Sequence, residues 1–391
     1  MKRILLLVLI LSVSLQVQAR TERRIYEVSC EVPRADCPVV VGDIPAWAVS
    51  ARVMADGKSL PCQVDRALGE LVFLADVGDG ARRFSVIFSS EPLKREWPKR
   101  VHAQMWLKNA DKSLSAADTV ASTQNDMYHK LHHHGPAFES ELAAYRIYFD
   151  DKQTVDTYGK KRRQLELAAS MWYPTEEQMA AGFGYDNLRV SGSTGVGALK
   201  GWDPKKQKMT HITEYSRREA RIIAKGPLRT VVEMAVEGWN YGGRTIDMTS
   251  RYILYAGHGE IEVENRIDGD CKELVFSTGL MRIKENSVKR SDDWIAEWGR
   301  DFPETDTLKW ERESVGMAVA FDAVQAVSQT DDKSSYLVQL VPDSRGHIDY
   351  TAGLVWRRSA WLEGKSDDEC LDELVATLRT ARKKASVKRI K

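Results

Sequence analysis

Hydrophobic and polar residues alternate in short runs along most of this chain. In the run from Glu260 to Glu264, Glu-Ile-Glu-Val-Glu, every second side chain is aliphatic and the others are charged. Successive side chains of a strand point to opposite faces of a sheet, so this period of two predicts an antiparallel strand with one buried and one solvated face. Similar β-branched or aromatic runs, separated by Gly, Pro and Asp, occur at residues 26–30, 39–41, 51–54, 70–74, 83–88, 144–149, 220–223, 229–236, 245–255, 273–280, 316–321 and 336–340.

These runs predict a mostly β protein. Many strands follow one another without the intervening helices of βαβ units, which favours a large antiparallel sandwich. Residues 367–384 predict a helix instead, since Leu371, Leu374, Val375 and Leu378 recur at helical spacing. The predicted organisation is a small N-terminal β-sandwich at 20–95, a large sandwich that carries the site at 96–365, and a C-terminal helix with a basic tail at 366–391.

The first residues predict an exported protein. Lys2 and Arg3 precede an apolar run over residues 4–11, and a more polar stretch then ends at Ala19. This is the pattern of a signal peptide at residues 1–19, too short to span a membrane comfortably. We therefore expect a periplasmic or secreted protein with no stable membrane insertion after the signal is removed.

The charge and the cysteine content of the chain argue against several classes of protein. The formal net charge is +1, which argues against a nucleic-acid partner. The five cysteines are too scattered for a disulfide framework or a zinc motif, although one bridge among Cys30, Cys37 and Cys62 is expected in an oxidising compartment.

The first candidate for chemistry is a cluster of histidines at residues 129–134, here called the histidine window. It holds four of the eight histidines: His129, His132, His133 and His134. Imidazole has an unperturbed pKa of about 6.5, so such a cluster is equipped to move protons or to bind a metal. Gly and Pro directly follow it and allow a sharp reversal of the chain.

Polar residues that could cooperate with these histidines follow on the next predicted strands. Tyr145 and Tyr158 offer phenols, and Arg146 offers a bidentate carboxylate clamp. His129, Glu139 and Lys160 are further candidates to bind the substrate.

A second group lies further along the chain. The glycine-rich stretch 191–201 lacks the lysine spacing and following helix of a phosphate loop, so no nucleotide is expected. We expect a flexible loop there, with Trp202 as a platform for a sugar ring and Asp203 as a hydroxyl acceptor. Arg217 and Arg218 are candidates for carboxylate binding.

The residues around the histidine window also carry a family resemblance. Tyr128-His129, His132-His133-His134-Gly135-Pro136, Asp156-Thr157-Tyr158-Gly159-Lys160-Lys161 and Tyr255-Ala256-Gly257-His258 resemble the domain-of-unknown-function family 4861, exported bacterial proteins of polysaccharide-utilisation systems. The resemblance covers nearly the whole mature chain. It implies a galactose-mutarotase-like β-supersandwich, as in many polysaccharide lyases, and action on glycans that contain uronic acids.

Three functions remain open at this stage. In the first, the protein is a lyase or a dehydratase that performs β-elimination on an oligosaccharide uronate. His133 or His134 is then the base, and Tyr145 or Tyr158 is the acid. Arg146, together with Arg217 or Arg218, binds the carboxylate of the uronate. In the second, a glycoside hydrolase uses Glu139 and a second carboxylate such as Asp156 or Asp203. In the third, the protein binds glycans without catalysis. No cofactor is required, but a divalent metal held by His132, His134 and Glu139 is an alternative use of the window.

Overall fold

The computed structural model describes residues 19–94 and 96–391. The predicted signal peptide therefore falls almost entirely outside the described residues. The described chain is built mainly of antiparallel strands, which confirms the predicted mostly β class. Within the described residues, no helix combines the length and the apolar character needed to cross a membrane.

The N-terminal unit consists of two sheets that enclose a core of their own. Alternation along the strands produces this core, because Tyr26, Val28, Val39, Val53 and Phe84 all point inward. Its strands are β1 (Thr21–Ser29), β2 (Arg34–Val41), β3 (Ser50–Ala55), β4 (Lys58–Leu60), β5 (Cys62–Asp65), β6 (Glu70–Val77) and β7 (Arg82–Ser89).

Most strands after this unit build the large sandwich, but the last strand of the chain joins the N-terminal sheet. The first of them are β8 (Val101–Gln104), β9 (Trp106–Lys108), β10 (Leu114–Ala116), β11 (Thr119–Ser122), β12 (Ala137–Ser140), β13 (Ala143–Ile147), β14 (Val155–Gly159) and β15 (Tyr185–Asp186). The later ones are β16 (Lys200–Asp203), β17 (Lys208–Thr210), β18 (Arg217–Lys225), β19 (Arg229–Tyr241), β20 (Arg244–Tyr255), β21 (Ile261–Asp268), β22 (Phe276–Met281), β23 (Ser287–Ser291), β24 (Trp294–Asp301), β25 (Glu313–Ala320), β26 (Ala326–Ser328), β27 (Ser335–Leu340), β28 (His347–Trp356) and β29 (Ser386–Arg389).

Helices are few in the described chain. They are α1 (Met127–Lys130), α2 (Leu167–Ser170), α3 (Glu176–Ala180) and α4 (Asp367–Ala381), with a 3₁₀ helix at Ala360–Leu362.

One long sheet forms the main layer of the sandwich. Its nine strands run in the order β11-β18-β19-β20-β21-β28-β25-β24-β23. Alternation gives it two unlike faces: the cross-strand row Ile222, Val232, Tyr252, Val263, Tyr350 belongs to the central core. The neighbouring row of Arg221, Glu233, Arg251 and Glu264 lies on the other face and forms ion pairs. Two five-stranded sheets, β15-β14-β13-β12-β8 and β17-β16-β22-β27-β26, contribute the rest of this core.

The predicted C-terminal helix is α4. Ser366 and Glu369 form a capping box at its start, and its apolar face packs on Ala296, Trp298 and Ala318 of the long sheet. The basic tail that follows is not a free end: β29 pairs with β1 and so joins the N-terminal sheet. Sequence alone did not indicate this, because a four-residue strand has too few positions to show a period.

The five cysteines are free thiols. The bridge expected among Cys30, Cys37 and Cys62 is therefore not formed. Cys62 instead contacts the backbone oxygen of Ala51 at 3.1 Å, and burial raises the pKa of Cys37 and of Cys62 to about 11.

His258 joins the N-terminal unit to the large sandwich. Its Nδ1 lies 2.7 Å from an oxygen of Glu260, and its Nε2 lies 2.9 Å from the backbone oxygen of Asp36. Burial alone disfavours the charged imidazolium, but the Glu260 carboxylate outweighs burial and raises the pKa of His258 to about 9. The ion pair is thus formed at neutral pH.

This ion pair makes stability depend on pH. Since the folded protein holds the His258 proton more tightly than the unfolded chain does, the stabilisation is complete below pH ~6.5 and is lost as the pH rises through about 9. Urea unfolding at about pH 6 and about pH 9.5 measures this effect. Between these two pH values the free energy of unfolding should fall more in the wild type than in His258→Gln, which carries no titrating group at this position. Parallel losses in both proteins would contradict this role.

Candidate functional site

The five-stranded sheet that follows the histidine window has one apolar and one polar face. Phe138 on β12 and Tyr145 on β13 are cross-strand partners on the apolar face and belong to the central core. The partners one position along, Ala137 and Arg146, lie on the opposite face. Register extends that polar face across the sheet, where it carries His102, Gln104, Glu139, Arg146, Asp156, Tyr158 and Asp186.

Tyr145, a predicted catalytic acid, is therefore on the wrong face of its strand to meet Arg146. Its side chain is fully buried, and its hydroxyl donates to the backbone oxygen of Gly259 at 2.5 Å. Adjacent residues of a strand point to opposite faces, so Tyr145 and Arg146 cannot both line one cleft.

Arg146 is the centre of the polar face. Its Nη2 donates to Asp156 at 2.6 Å and to Asp186 at 2.7 Å, and its Nε donates to Asp156 at 2.9 Å. Nη2 also lies 3.0 Å from the hydroxyl of Tyr148, which itself donates to Asp156 at 2.6 Å. The remaining amino group, Nη1, donates to the hydroxyl of Tyr173 at 3.1 Å. This guanidinium is thus already neutralised by carboxylates of the protein and serves to hold two phenols in place.

Two aspartates share this one guanidinium. If both were ionised, the buried group would carry a net negative charge, which a low-dielectric site disfavours. Burial and the neighbouring Asp156 carboxylate therefore raise the pKa of Asp186. Its Oδ1 is buried and has no hydrogen-bond partner among the described residues.

A segment at residues 161–184, here called the covering segment, lies over the polar face. Glu139 holds it there: its carboxylate accepts the backbone N–H groups of Glu166, at 2.8 Å, and of Leu167, at 2.8 Å, and pairs with Lys160. Glu139 and Lys160 are both fully buried. Glu139 and Lys160, which were predicted to bind substrate, thus hold the covering segment instead. Both oxygens of the Glu139 carboxylate are engaged inside the protein.

The covering segment carries unusual backbone at the point where it meets Arg146. Met171 and Trp172 are consecutive non-glycine residues in the left-handed region, with φ of 52° and 76°. Such conformations cost about 1–3 kcal/mol each and persist where the surroundings enforce them. Here the enforcing contacts are those of Trp172, whose ring lies 4.6 Å from the Arg146 guanidinium and whose Nε1 donates to Asp186 at 3.1 Å.

Tyr173 emerges from this turn toward solvent. It is 46% exposed, and its hydroxyl accepts a hydrogen bond from Arg146. Because the oxygen is the acceptor in that bond, its own hydrogen stays available for another group. Burial raises the pKa of Tyr173, so the phenol is protonated at neutral pH.

The histidines of the window fall into different environments. His129 is exposed beside the ring of Tyr128. His132 is partly buried, and its ring lies edge-on to that of Tyr173 at 5.7 Å. Its Nε2 has no hydrogen-bond partner in the part of the chain that the structure describes. Burial lowers the pKa of His132.

His133 is a structural residue. It is fully buried, with Nδ1 2.8 Å from the backbone oxygen of Gly135 and Nε2 3.4 Å from the side-chain nitrogen of Gln104. Burial lowers its pKa to about 3, so the ring is neutral throughout the physiological range. Both ring nitrogens are used inside the protein, which leaves no free atom for substrate.

His134 has the environment of a general base. Its ring stacks on that of Tyr128 at 4.0 Å, and its Nδ1 lies 2.9 Å from the backbone oxygen of Tyr128. A carbonyl oxygen only accepts hydrogen bonds, so the neutral ring carries its proton on Nδ1 and presents a lone pair on Nε2. Burial lowers the pKa of His134, which keeps that lone pair free at neutral pH. The ring of Tyr148 lies 5.9 Å away, next to Arg146.

Tyr158, the second predicted acid, lies on the polar face but beneath the covering segment. It is fully buried and packs against Trp172 with ring centres 5.5 Å apart. Burial raises its pKa well above the usual value for tyrosine. In this position Tyr158 supports the covering segment rather than reaching a ligand.

The other predicted binding residues lie elsewhere. The glycine-rich stretch is a buried connection rather than a flexible loop, since Gly195 pairs with Val155 and a Cβ there would lie 1.8 Å from the Val155 oxygen. Trp202 is 6% exposed and packs with Met209 and Leu337, and Asp203 caps a turn by accepting the backbone N–H of Lys205.

Neither of the two further arginines offers a free guanidinium. Arg217 pairs with Glu219 and, at 2.5 Å, with Glu237. Arg218 is fully buried and donates to Gln153 and to the backbone oxygen of Asp150. Both side chains are thus engaged in contacts around β18. The predicted carboxylate clamp of Arg146 with Arg217 or Arg218 is therefore not formed.

The metal alternative also lacks its ligand set. In residues 19–94 and 96–391, no three or more His, Cys, Asp or Glu side chains are grouped as metal ligands. Of the proposed ligands, Glu139 is bound to Lys160 and backbone, and only His132 and His134 retain free ring nitrogens.

Sequence reasoning missed Trp172, Tyr173 and Asp186. They are distant in sequence from the histidine window. Trp172 and Tyr173 join it because the covering segment folds over the sheet, and Asp186 joins it because β15 pairs with β14. The adjacent aromatic pair Trp172-Tyr173, directly followed by a proline, was the signal available.

Comparison with known proteins identifies the family. The family model described as "Domain of unknown function (DUF4861)" matches residues 38–382, and the chain therefore belongs to that family. This confirms the resemblance seen in the sequence. No curated protein matches the chain.

Two solved structures from Enterococcus faecalis are similar in part. One is described as a protein in glycosyl hydrolase family 38, with 8% identity, a TM-score of 0.46, and coverage of 94% of this chain and 47% of that one. The other is an alpha-mannosidase from strain V583, with 7% identity, a TM-score of 0.44, and coverage of 95% and 46%. This chain thus spans about half the length of these proteins.

Proposed function

We propose that this DUF4861 protein is an exported carbohydrate-active enzyme that performs β-elimination on a uronic acid residue of an oligosaccharide. The observation that carries the proposal is His134, whose tautomer is set by the backbone oxygen of Tyr128 so that Nε2 presents a lone pair. The signal-like N-terminus supports a periplasmic or secreted location.

The elimination needs a base and an acid. His134 Nε2 takes the acidic proton from C5 of the uronate, the electron pair forms the C4–C5 double bond, and the oxygen on C4 leaves with a proton from the Tyr173 hydroxyl. Loss of water is the outcome when C4 carries a hydroxyl, and chain cleavage is the outcome when it carries a glycosidic oxygen.

Arg146 acts through Tyr173 in this scheme. Its hydrogen bond to the Tyr173 oxygen directs the hydroxyl hydrogen away from the guanidinium, and the same Nη1 donor stabilises the phenolate oxygen that forms when that hydrogen leaves. The buried Asp156 and Asp186 hold Arg146 in position.

A panel of uronate-containing oligosaccharides tests the reaction. We expect a product that absorbs in the near ultraviolet, because elimination conjugates the new double bond with the carboxylate. Mass spectrometry then separates loss of water from cleavage of the chain. Cleavage without new absorbance would indicate hydrolysis, and binding without any change in mass would indicate a glycan-binding protein. Either result would refute the elimination.

The acid is tested by Tyr173→Phe, which removes only the hydroxyl. A positioned proton donor contributes about 10²- to 10⁴-fold to a rate, so kcat should fall within that range while KM changes little. Tyr215→Phe is a matched control, since Tyr215 lies beside Arg218 rather than Arg146. An unchanged kcat in Tyr173→Phe would exclude this residue as the acid.

A further inference from the structure

The proposed substrate is an anion, yet the cations predicted to bind it are all engaged. Arg146 pairs with Asp156 and Asp186, and Lys160 pairs with Glu139. Arg217 and Arg218 are bound within and around β18, as described above. A carboxylate that entered the site would have to compete with buried aspartates for Arg146, so another positive group is required to bind it.

Lys108, at the end of β9, is such a group. Its side chain is exposed, and its Nζ donates to the backbone oxygen of His129 at 3.3 Å. Across the part of the chain that the structure describes, Lys108 forms no ion pair with a carboxylate, so its charge is uncompensated.

The backbone places Lys108 beside the histidine window. Leu107 forms an isolated antiparallel bridge with Leu131, and the backbone N–H of His132 donates to the oxygen of Trp106 at 2.9 Å. The positive charge of Lys108 acts on His132 and His134, since it contributes to the lowered pKa of each imidazole.

We propose that Lys108 binds the carboxylate of the uronate and so selects acidic sugars for this site. The inference rests on the proposed elimination, which it deepens by naming the residue that recognises the acid group. An ammonium ion that contacts the substrate carboxylate also favours departure of the C5 proton, because the negative charge that develops then spreads onto that carboxylate.

Steady-state kinetics on a uronate oligosaccharide test this role. Hydrogen bonds to charged groups contribute about 1.5–3 kcal/mol, so Lys108→Gln should raise KM by roughly tenfold or more. Lys108→Arg keeps the charge and should recover most of the loss. Lys130→Gln is the matched control, because Lys130 is exposed at the end of the neighbouring helix α1 and already paired with Asp126. Equal KM values for wild type and Lys108→Gln would overturn the proposal.

A binding experiment separates this inference from the reaction itself. Glucuronic acid is titrated into the protein and the histidine NMR signals are followed, with glucose as the neutral control. We expect glucuronic acid alone to shift the His132 and His134 signals, and Lys108→Gln to abolish the shift. If the wild type shows that shift but converts no oligosaccharide, the elimination fails and the acid-binding role of Lys108 stands. If Lys108→Gln keeps the shift, or the wild type lacks it, the role of Lys108 is refuted whatever the enzyme converts.

Discussion

Replacement of His134 by asparagine is expected to lower turnover of a uronate oligosaccharide by about 10²- to 10⁴-fold. The variant removes the imidazole that takes the C5 proton and leaves the rest of the site intact. Asparagine is the appropriate substitute because His134 has a φ of 70°, and asparagine tolerates this left-handed region better than alanine does. The measurement is the initial rate of near-ultraviolet absorbance under saturating substrate.

His129→Asn provides the matched control in the same window. His129 is exposed, so its replacement should leave the rate unchanged. Circular dichroism of both variants establishes that they fold. A His134→Asn protein that folds and keeps the wild-type rate would show that another group is the base, and His132, whose Nε2 is also free of partners, would then be the next residue to replace.

The pH profile gives a second readout for the same base. Because burial lowers the pKa of His134 below its ordinary value of about 6.5, the neutral ring persists into mildly acidic solution. Activity should therefore stay high at neutral pH and fall only as the pH drops below that ordinary value.

Replacement of Lys160 by methionine is expected to destabilise the protein by about 3–5 kcal/mol, since it leaves the fully buried Glu139 carboxylate without its counter-charge. The hydrogen bonds from Glu166 and Leu167 remain but do not neutralise the charge. The free energy of unfolding in urea measures the effect.

An exposed ion pair supplies the comparison. Lys206 pairs with Asp203 at 3.5 Å and its side chain is 70% exposed, so Lys206→Met should cost less than about 1 kcal/mol. If the two variants lose similar amounts of stability, the Glu139–Lys160 pair does not anchor the covering segment in the way its burial indicates.

The fold class followed from the sequence because it depends on a local property. The alternation in β21 places Ile261 and Val263 on the same face of the sheet, and that face lies in the core. The opposite face was expected to be solvated, but Glu262 on it is buried as well. The C-terminal helix could likewise be predicted, because its apolar residues recur at helical spacing. In contrast, β29 could not be foreseen, since its pairing with β1 depends on where α4 delivers the end of the chain.

The candidate site was predictable only in part. The histidine window stands out because imidazoles are rare and clustered, and Arg146 stands out on the strand that follows. Composition does not reveal which face of a strand is buried when both faces carry polar groups, and so Tyr145 was assigned to the cleft although it points into the core.

By itself the sequence determined the antiparallel sandwich, the terminal helix, the family and the stretch of chain in which to look for chemistry, since each depends on residue types and spacings along the chain. Only the tertiary structure decided the roles within that stretch. The covering segment brings Trp172 and Tyr173 to Arg146, and the pairing of β15 with β14 brings Asp186 there. His133 is buried in the fold, and His134 keeps a free nitrogen. The physical reason is that burial and hydrogen-bond partners decide whether a polar side chain supports the protein or meets a ligand, and partners far apart in sequence are chosen only when the chain folds.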